Sequence, residues 1–261
     1  MSTEEFIIVL FDRVDDAMRD LPKHPQAALY PSELMTLALL YARKGDGARR
    51  FYRWLVRDYR PLFPHLPERT RLFRLFTAHQ EWAARFLADP TILGVADTYG
   101  VAFIHPRRDG RSGRQQGKKG LSNRRWIVGG KLGVVLNQWG LVTAWDCRTA
   151  NVHDSSFQPL VARFAEEMIV LTDHGFHAKA GDPPNMKVCA PRTWNVRMMV
   201  ETVCSMVTTI CDAKGMRHRL WATFTAHLAS LLAVFNVLVQ WEGLKPDDEG
   251  RIHLAIAEFS L

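Results

Sequence analysis

Cysteine is scarce in this chain of 261 residues, and its four copies (Cys147, Cys189, Cys204 and Cys211) form no CxxC pair. That spacing argues against a thiolate zinc site and against a disulfide framework, and predicts reduced thiols packed in a cytoplasmic protein. Long apolar runs are also missing. The longest, Leu228 to Val239, is interrupted by Ser230 and Asn236. It falls short of the roughly 20 residues needed to span a bilayer, so a buried helix is expected and no membrane partner. The first ten residues carry Glu4 and Glu5 ahead of their apolar run, the wrong order and sign for a secretory leader. There is no internal repeat and no low-complexity tract. Acid is in the minority: 27 Asp and Glu stand against 34 Lys and Arg, a net charge of +7. A polyanionic partner is the first expectation from that balance.

The positive charge is concentrated in two places. His105 to Lys131 holds nine basic residues (Arg107, Arg108, Arg111, Arg114, Lys118, Lys119, Arg124, Arg125 and Lys131) and one acid, Asp109, for a net +8. Arg43 to Arg74 carries ten basic residues and three acids, for +7, and the remainder of the chain is at −8. In the second of these regions, Ser32 is expected to cap a helix from Glu33 to about Lys44, stopped by Gly45. A further helix over Gly47 to Arg60 gathers Ala48, Phe51, Tyr52, Leu55 and Tyr59 on one face and ends at Pro61. Arg49, Arg53 and Arg57 recur on another face with Arg50 beside them, a guanidinium stripe suited to phosphates along a duplex. The His105–Arg125 segment has four glycines and no apolar period, and reads as a long flexible basic loop able to order on nucleic acid.

After about 90 helical residues the pattern turns to strands. Thr91 to Val95 reads as a strand ending at Asp97, and Trp126 to Leu136 as another, interrupted by Gly129 and Gly130. Asn137 to Gly140 makes a turn and Leu141 to Cys147 the hairpin partner. Helix-starting residues follow around Asp154; His153-Asp154 reads either as a metal-ligand pair of a phosphohydrolase or, since adjacent side chains at a helix start diverge, as a cap. Met168 to Thr172 is a fourth strand, ending at Asp173, with Gly175 permitting a tight turn; Lys187 to Ala190 is a fifth. Helical periodicity then covers Thr193 to Ala213 and Leu220 to Trp241. Three hairpin-joined strands followed by crossover strands predict an α/β fold with a mixed five-stranded sheet flanked by helices.

Three acids fall at informative places in that order. Asp97 and Asp173 end strands, and Glu201 lies in the following helix on a polar stripe with Arg197. Carboxylates converging at one sheet edge repel unless cations neutralise them, and two Mg²⁺ ions about 4 Å apart are the usual remedy at phosphodiester-cleaving sites. Among other candidates, His174 and His177 either tune Asp173 and touch DNA or are exposed loop histidines. Trp126 and Trp139 either stack on bases or pack on the core. Arg192 and Arg197 either hold a phosphate or pair with acids.

Five segments in order carry a resemblance: Val95-Ala96-Asp97, Trp126 to Leu132, Thr149 to Ser155, Leu171 to Phe176, and Val200-Glu201-Thr202. They resemble successive motifs of bacterial insertion-sequence DDE transposases. Pro31 to Leu34, Phe51 to Leu55 and Leu62-Phe63-Pro64 look like the helical region that precedes the catalytic domain there. The resemblance runs from about Pro31 to Trp241. It implies a ribonuclease-H-like catalytic domain over 91–241, an all-helical DNA-binding region over 1–90 and a tail over 242–261. It also implies Asp97, Asp173 and Glu201 as catalytic residues and ligands of two Mg²⁺ or Mn²⁺ ions. Double-stranded DNA, comprising element ends and target, is the implied partner. A homodimer on that DNA is expected, with no small-molecule substrate, in the cytoplasm at the nucleoid. Expected DNA contacts are Arg49, Arg50, Arg53, Arg57, Arg107, Arg108, Lys118, Lys119, Arg124, Arg125, Lys131, Arg192 and Arg197. Many members carry a Tyr, Arg, Glu, Lys pattern around the last acid; here Trp194 replaces the Tyr and Thr208 the Lys. A metal-dependent nuclease without strand transfer, and an inactive DNA-binding remnant, are the alternative readings.

Overall fold

The computed structural model describes residues 1–111, 113, 115–122, 125–189, 202–203, 220–241 and 243–244. Contacts divide these into two compact units, one of residues 1–86 with a helix near residue 230, the other beginning at Leu87.

The first unit is helical among its described residues. Helix α1 (Thr3–Ala17) starts from Ser2, whose hydroxyl accepts from the Glu5 N–H while the Glu5 carboxylate accepts from the Ser2 N–H. Helix α2 (Pro31–Lys44) begins two residues before its expected start. Pro31 supplies the fixed φ of a first helical position, and the Glu33 carboxylate accepts from the Tyr30 N–H at 2.7 Å, so Ser32 is not the cap. Gly45 ends α2 in the left-handed region at φ 69°, where a side chain is disfavoured. Helix α3 (Ala48–Asp58) buries Phe51 and Leu55 and turns its arginines outward. Helix α4 (Arg69–Ala78) follows, burying Leu72 and Phe76. The apolar run near the C-terminus forms a long helix, Trp221–Val239, which packs on α2 and α4. Its length and hydropathy suffice to cross a membrane, yet 78% of it is buried inside the protein.

The second unit is a mixed α/β assembly around a curled sheet of six strands: β1 (Leu93–Ile104), β2 (Lys118–Ser122), β3 (Arg125–Asn137), β4 (Val142–Thr149), β5 (Ile169–Thr172) and β6 (Met186–Val188). β1 pairs antiparallel with β3 on one side and parallel with β5 on the other, and β5 pairs parallel with β6. The far edge of β3 is shared end to end, its first residues by β2 and the rest by β4, both antiparallel. Helix α5 (Gln158–Ala162) covers one face, where Phe157, Val161, Phe164 and Met168 pack on Ala96, Val135, Ala144 and Val170. With α5 numbered here, the Trp221–Val239 helix is α6.

Three features differ from the expectations. The basic loop is not structureless: it contains a turn at Pro106–Arg108 and then β2, held by backbone pairing to β3 rather than by any apolar period. Gly129 and Gly130 do not interrupt β3; Gly129 lies against the Val101 carbonyl of β1, where a Cβ has no space. Strand β1 does not end at Asp97 but runs seven residues further to Ile104, because β3 pairs with it throughout. Burial pushes the Cys147 thiol up to about 12, the behaviour of an inert core cysteine.

Candidate active site

The parallel pairing of β1 with β5 is short: Leu93–Ile169, Gly94–Val170 and Val95–Leu171. Counting on two residues from the last pair reaches Asp97 on one strand and Asp173 on the other. Neighbouring strands run about 4.8 Å apart, so two carboxylates are mounted at one level where the parallel ladder stops. Asp97 is half-buried, and its Oδ1 accepts from the Thr98 N–H at 2.7 Å. Asp173 caps a short 3-10 turn over His174–Phe176, its Oδ1 accepting from the Gly175 N–H at 2.9 Å. This is the C-terminal end of β5 and of its parallel ladder with β1, though β1 itself continues to Ile104; α/β folds build their sites at the C-terminal ends of parallel strands.

Asp154 enters the same neighbourhood from the opposite side of the chain. It was expected to cap a helix, but His153 does so, its ring accepting from the Ser155 N–H at 3.3 Å. Asp154 is thereby left to face the sheet. Its Oδ1 accepts from the Thr98 hydroxyl and from the Lys131 ammonium, each at 2.8 Å. Its Oδ2 lies 2.8 Å from where a Cβ would stand on Gly175, and Asp173 Oδ1 lies 3.0 Å from the same point. The two carboxylates therefore close around one glycine. A Cβ at residue 175 would force the Asp154 carboxylate to shift and press on that of Asp173; the constraint is this crowding and not φ, which is not positive.

Lys131 was grouped with the DNA-facing cations, and the structure places it elsewhere. It is 8% exposed, and its ammonium also donates to the Val152 carbonyl at 2.8 Å. The reason is its position on β3, where it follows Gly129 and Gly130 and faces the Thr149–Asp154 segment. Counting charge along a sequence cannot register such burial. Thr98 is not expected in the site from the sequence, and Asp154 is expected as a helix cap in preference to a metal-ligand pairing with His153.

The remaining basic residues divide by location. Arg49, Arg50, Arg53 and Arg57 are exposed along α3. Two of them have partners, Arg57 with Asp58 at 2.7 Å and Arg50 with Asp46 at 3.7 Å. Arg50, Arg53 and Arg57 with Lys44 line an open depression of about 720 Å³ that also contains Tyr52 and Trp54. In the second unit Arg107, Arg108, Lys118, Lys119 and Arg125 are exposed. Glu201, Arg124, Arg192, Arg197, Trp194 and Thr208 lie outside the described residues. Among the described residues no group of three or more His, Cys, Asp or Glu is arranged to hold a metal ion. His177 is committed to Asp182 at 2.8 Å, and that bond holds the Asp182 carboxyl below the usual carboxylate range. Comparison with models of known protein families, with curated proteins and with solved structures finds no match.

Proposed function

We propose that this chain is a DDE-class DNA transposase of an insertion sequence, acting at the nucleoid in the cytoplasm, and that its mixed sheet is a ribonuclease-H-like catalytic domain. The observation that supports this reading is that Asp97 and Asp173 each follow the last parallel β1–β5 pair, Val95–Leu171, by two residues. The strand order adds support: an antiparallel meander on one side of β1 and two short parallel strands on the other.

Asp97 and Asp173, with Glu201, would hold Mg²⁺ or Mn²⁺; a set of carboxylate oxygens is the donor chemistry those hard cations take. When bound, such ions activate a water or 3′-hydroxyl and stabilise the leaving oxygen of a phosphodiester. The chain's own residues do the rest. The Gly175 amide orients the Asp173 carboxylate, and Lys131 neutralises Asp154 behind it. The arginines of α3 and the cations of the 105–125 segment neutralise DNA phosphates, and two copies hold two element ends.

Nicking of supercoiled plasmid in Mg²⁺ or Mn²⁺ tests the proposal. Asp97→Asn and Asp173→Asn are expected to lose on the order of 10²-fold or more in nicking rate while retaining DNA binding. Nicking at the unsubstituted rate by Asp173→Asn overturns the assignment. Products joined to a second DNA distinguish a transposase from a nuclease that only cleaves. DNA binding with neither nicking nor calorimetric metal binding identifies an inactive remnant.

A further inference from the structure

Trp126 is the second residue of β3 and is 58% exposed. Directly opposite it on β2 stands Leu121, 53% exposed. Lys119, two residues earlier on β2, shares their face, and its ammonium lies 5.3 Å from the Trp126 ring centroid. Outward positions of a two-stranded ribbon are ordinarily polar, because each Å² of apolar surface left in water forgoes about 25 cal/mol. Here an indole and an isobutyl group sit side by side in solvent.

Their surroundings are cationic. Lys119 lies on this face and Arg107 and Arg108 are exposed in the turn that precedes β2, whereas Lys118 and Arg125, also exposed, alternate to the other face of the same two strands. Asp109 is the only acid between His105 and Lys131, and its carboxylate accepts from the Gln115 amide at 2.8 Å. A flat aromatic surface in a positive frame matches an unpaired nucleobase and its phosphates. A duplex hides its base faces, and an acidic peptide has no flat π-surface to lay on an indole.

We propose that this face of the β2–β3 ribbon binds single-stranded DNA, with one base stacked on Trp126 against Leu121 and Lys119 on the neighbouring phosphate. The inference rests on the reading of the chain as a DNA-processing protein. It adds that an unpaired stretch, such as a frayed end, is held on this ribbon.

The test is fluorescence anisotropy of the full chain with a labelled oligothymidine of about 16 nucleotides, in EDTA so that nothing is cleaved. Trp126→Ala is expected to weaken binding about 5- to 150-fold, and Trp126→Phe less than about threefold, since base–aromatic stacking contributes about 1–3 kcal/mol. Affinity for a blunt duplex should change less than about twofold, and Lys119→Ala should lower the salt slope by about one unit. Unchanged oligothymidine binding by Trp126→Ala overturns the proposal, as does an equal loss on single strand and duplex. A change of oligomeric state by sedimentation with DNA binding intact also overturns it, and makes the face a protein interface. If Trp126→Ala fails to fold, Lys119→Glu replaces it: a loss of at least about tenfold on oligothymidine that exceeds the loss on duplex supports the surface, and an unchanged affinity or an equal loss on both overturns it. Nicking is scored separately, so stacking without nicking counts against the proposed function and leaves the ribbon surface standing.

Discussion

An ammonium group at 10% side-chain exposure is tolerated only while its acceptors stay in place, and Lys131 has two, Asp154 Oδ1 and the Val152 carbonyl. Removing one member of a buried ion pair strands the other charge, at a cost of about 3–5 kcal/mol in fully buried cases. Asp154 is 28% exposed, and that solvent access reduces the figure. Lys131→Met is therefore expected to lower unfolding free energy by about 2 kcal/mol in urea titrations. Lys131→Met combined with Asp154→Asn should recover part of that loss, because no charge is then left unpaired. Additive losses in the double variant would show that the two side chains are not coupled. The same clasp explains what the sequence conceals at this scale. Nothing about a lysine among basic neighbours distinguishes a buried cation from an exposed one; the distinction comes from which strand edge the residue reaches.

At the scale of elements, strand β3 is shaped by what it leaves out. Gly129 allows the β1 backbone to approach, and a Cβ on Gly133 would meet the ring of Phe157, itself fully buried under α5. Gly133→Ala is expected to destabilise by about 1–3 kcal/mol, the usual result of overpacking a filled core. A thermal melt checks it, and an unchanged transition would mean that Phe157 can shift freely. The main strands were legible because their residues are β-branched and apolar: Val95, Val134, Val135, Val142 and Val170 are all buried. β2 was not, since Lys118-Lys119-Gly120-Leu121-Ser122 has neither the composition nor the alternation of a strand. Its pairing is supplied by the edge of β3, and Gly120 fits closely against the Ala150 backbone. The two aspartates were legible as strand-end acids, yet Asp97 proves to be mid-strand, and only the end of β5 makes its level special.

For the molecule as a whole, charge organisation sets the response to salt. Each phosphate neutralised on B-DNA contributes about 0.9 to the slope of log affinity against log salt. Replacing Arg49 and Arg53, two α3 arginines that project into solvent, by alanine should reduce that slope by about two units. A slope identical to that of the parent chain would remove α3 from the proposed DNA interface. The sequence also hid where α6 belongs. Its run of apolar residues follows the last strand in the chain, yet its contacts group it with the helices of residues 1–86, so order along the chain did not reveal the unit boundary.

The short ladder between β1 and β5 has a consequence for how the chain reaches this state. The β3–β4 hairpin closes across the few residues of the Asn137–Gly140 turn, so its pairing costs little chain entropy. Joining Leu93 to Ile169 closes a loop that contains the entire antiparallel meander, for only three residue pairs in return. Local pairing is favoured kinetically over such long-range closure. Asp97 is thus carried on the locally paired part of the sheet, whereas Asp173 sits on the part whose pairing requires the long-range closure. Chemistry that needs both carboxylates, as the proposed nicking does, would switch on only when both parts of the sheet are in place.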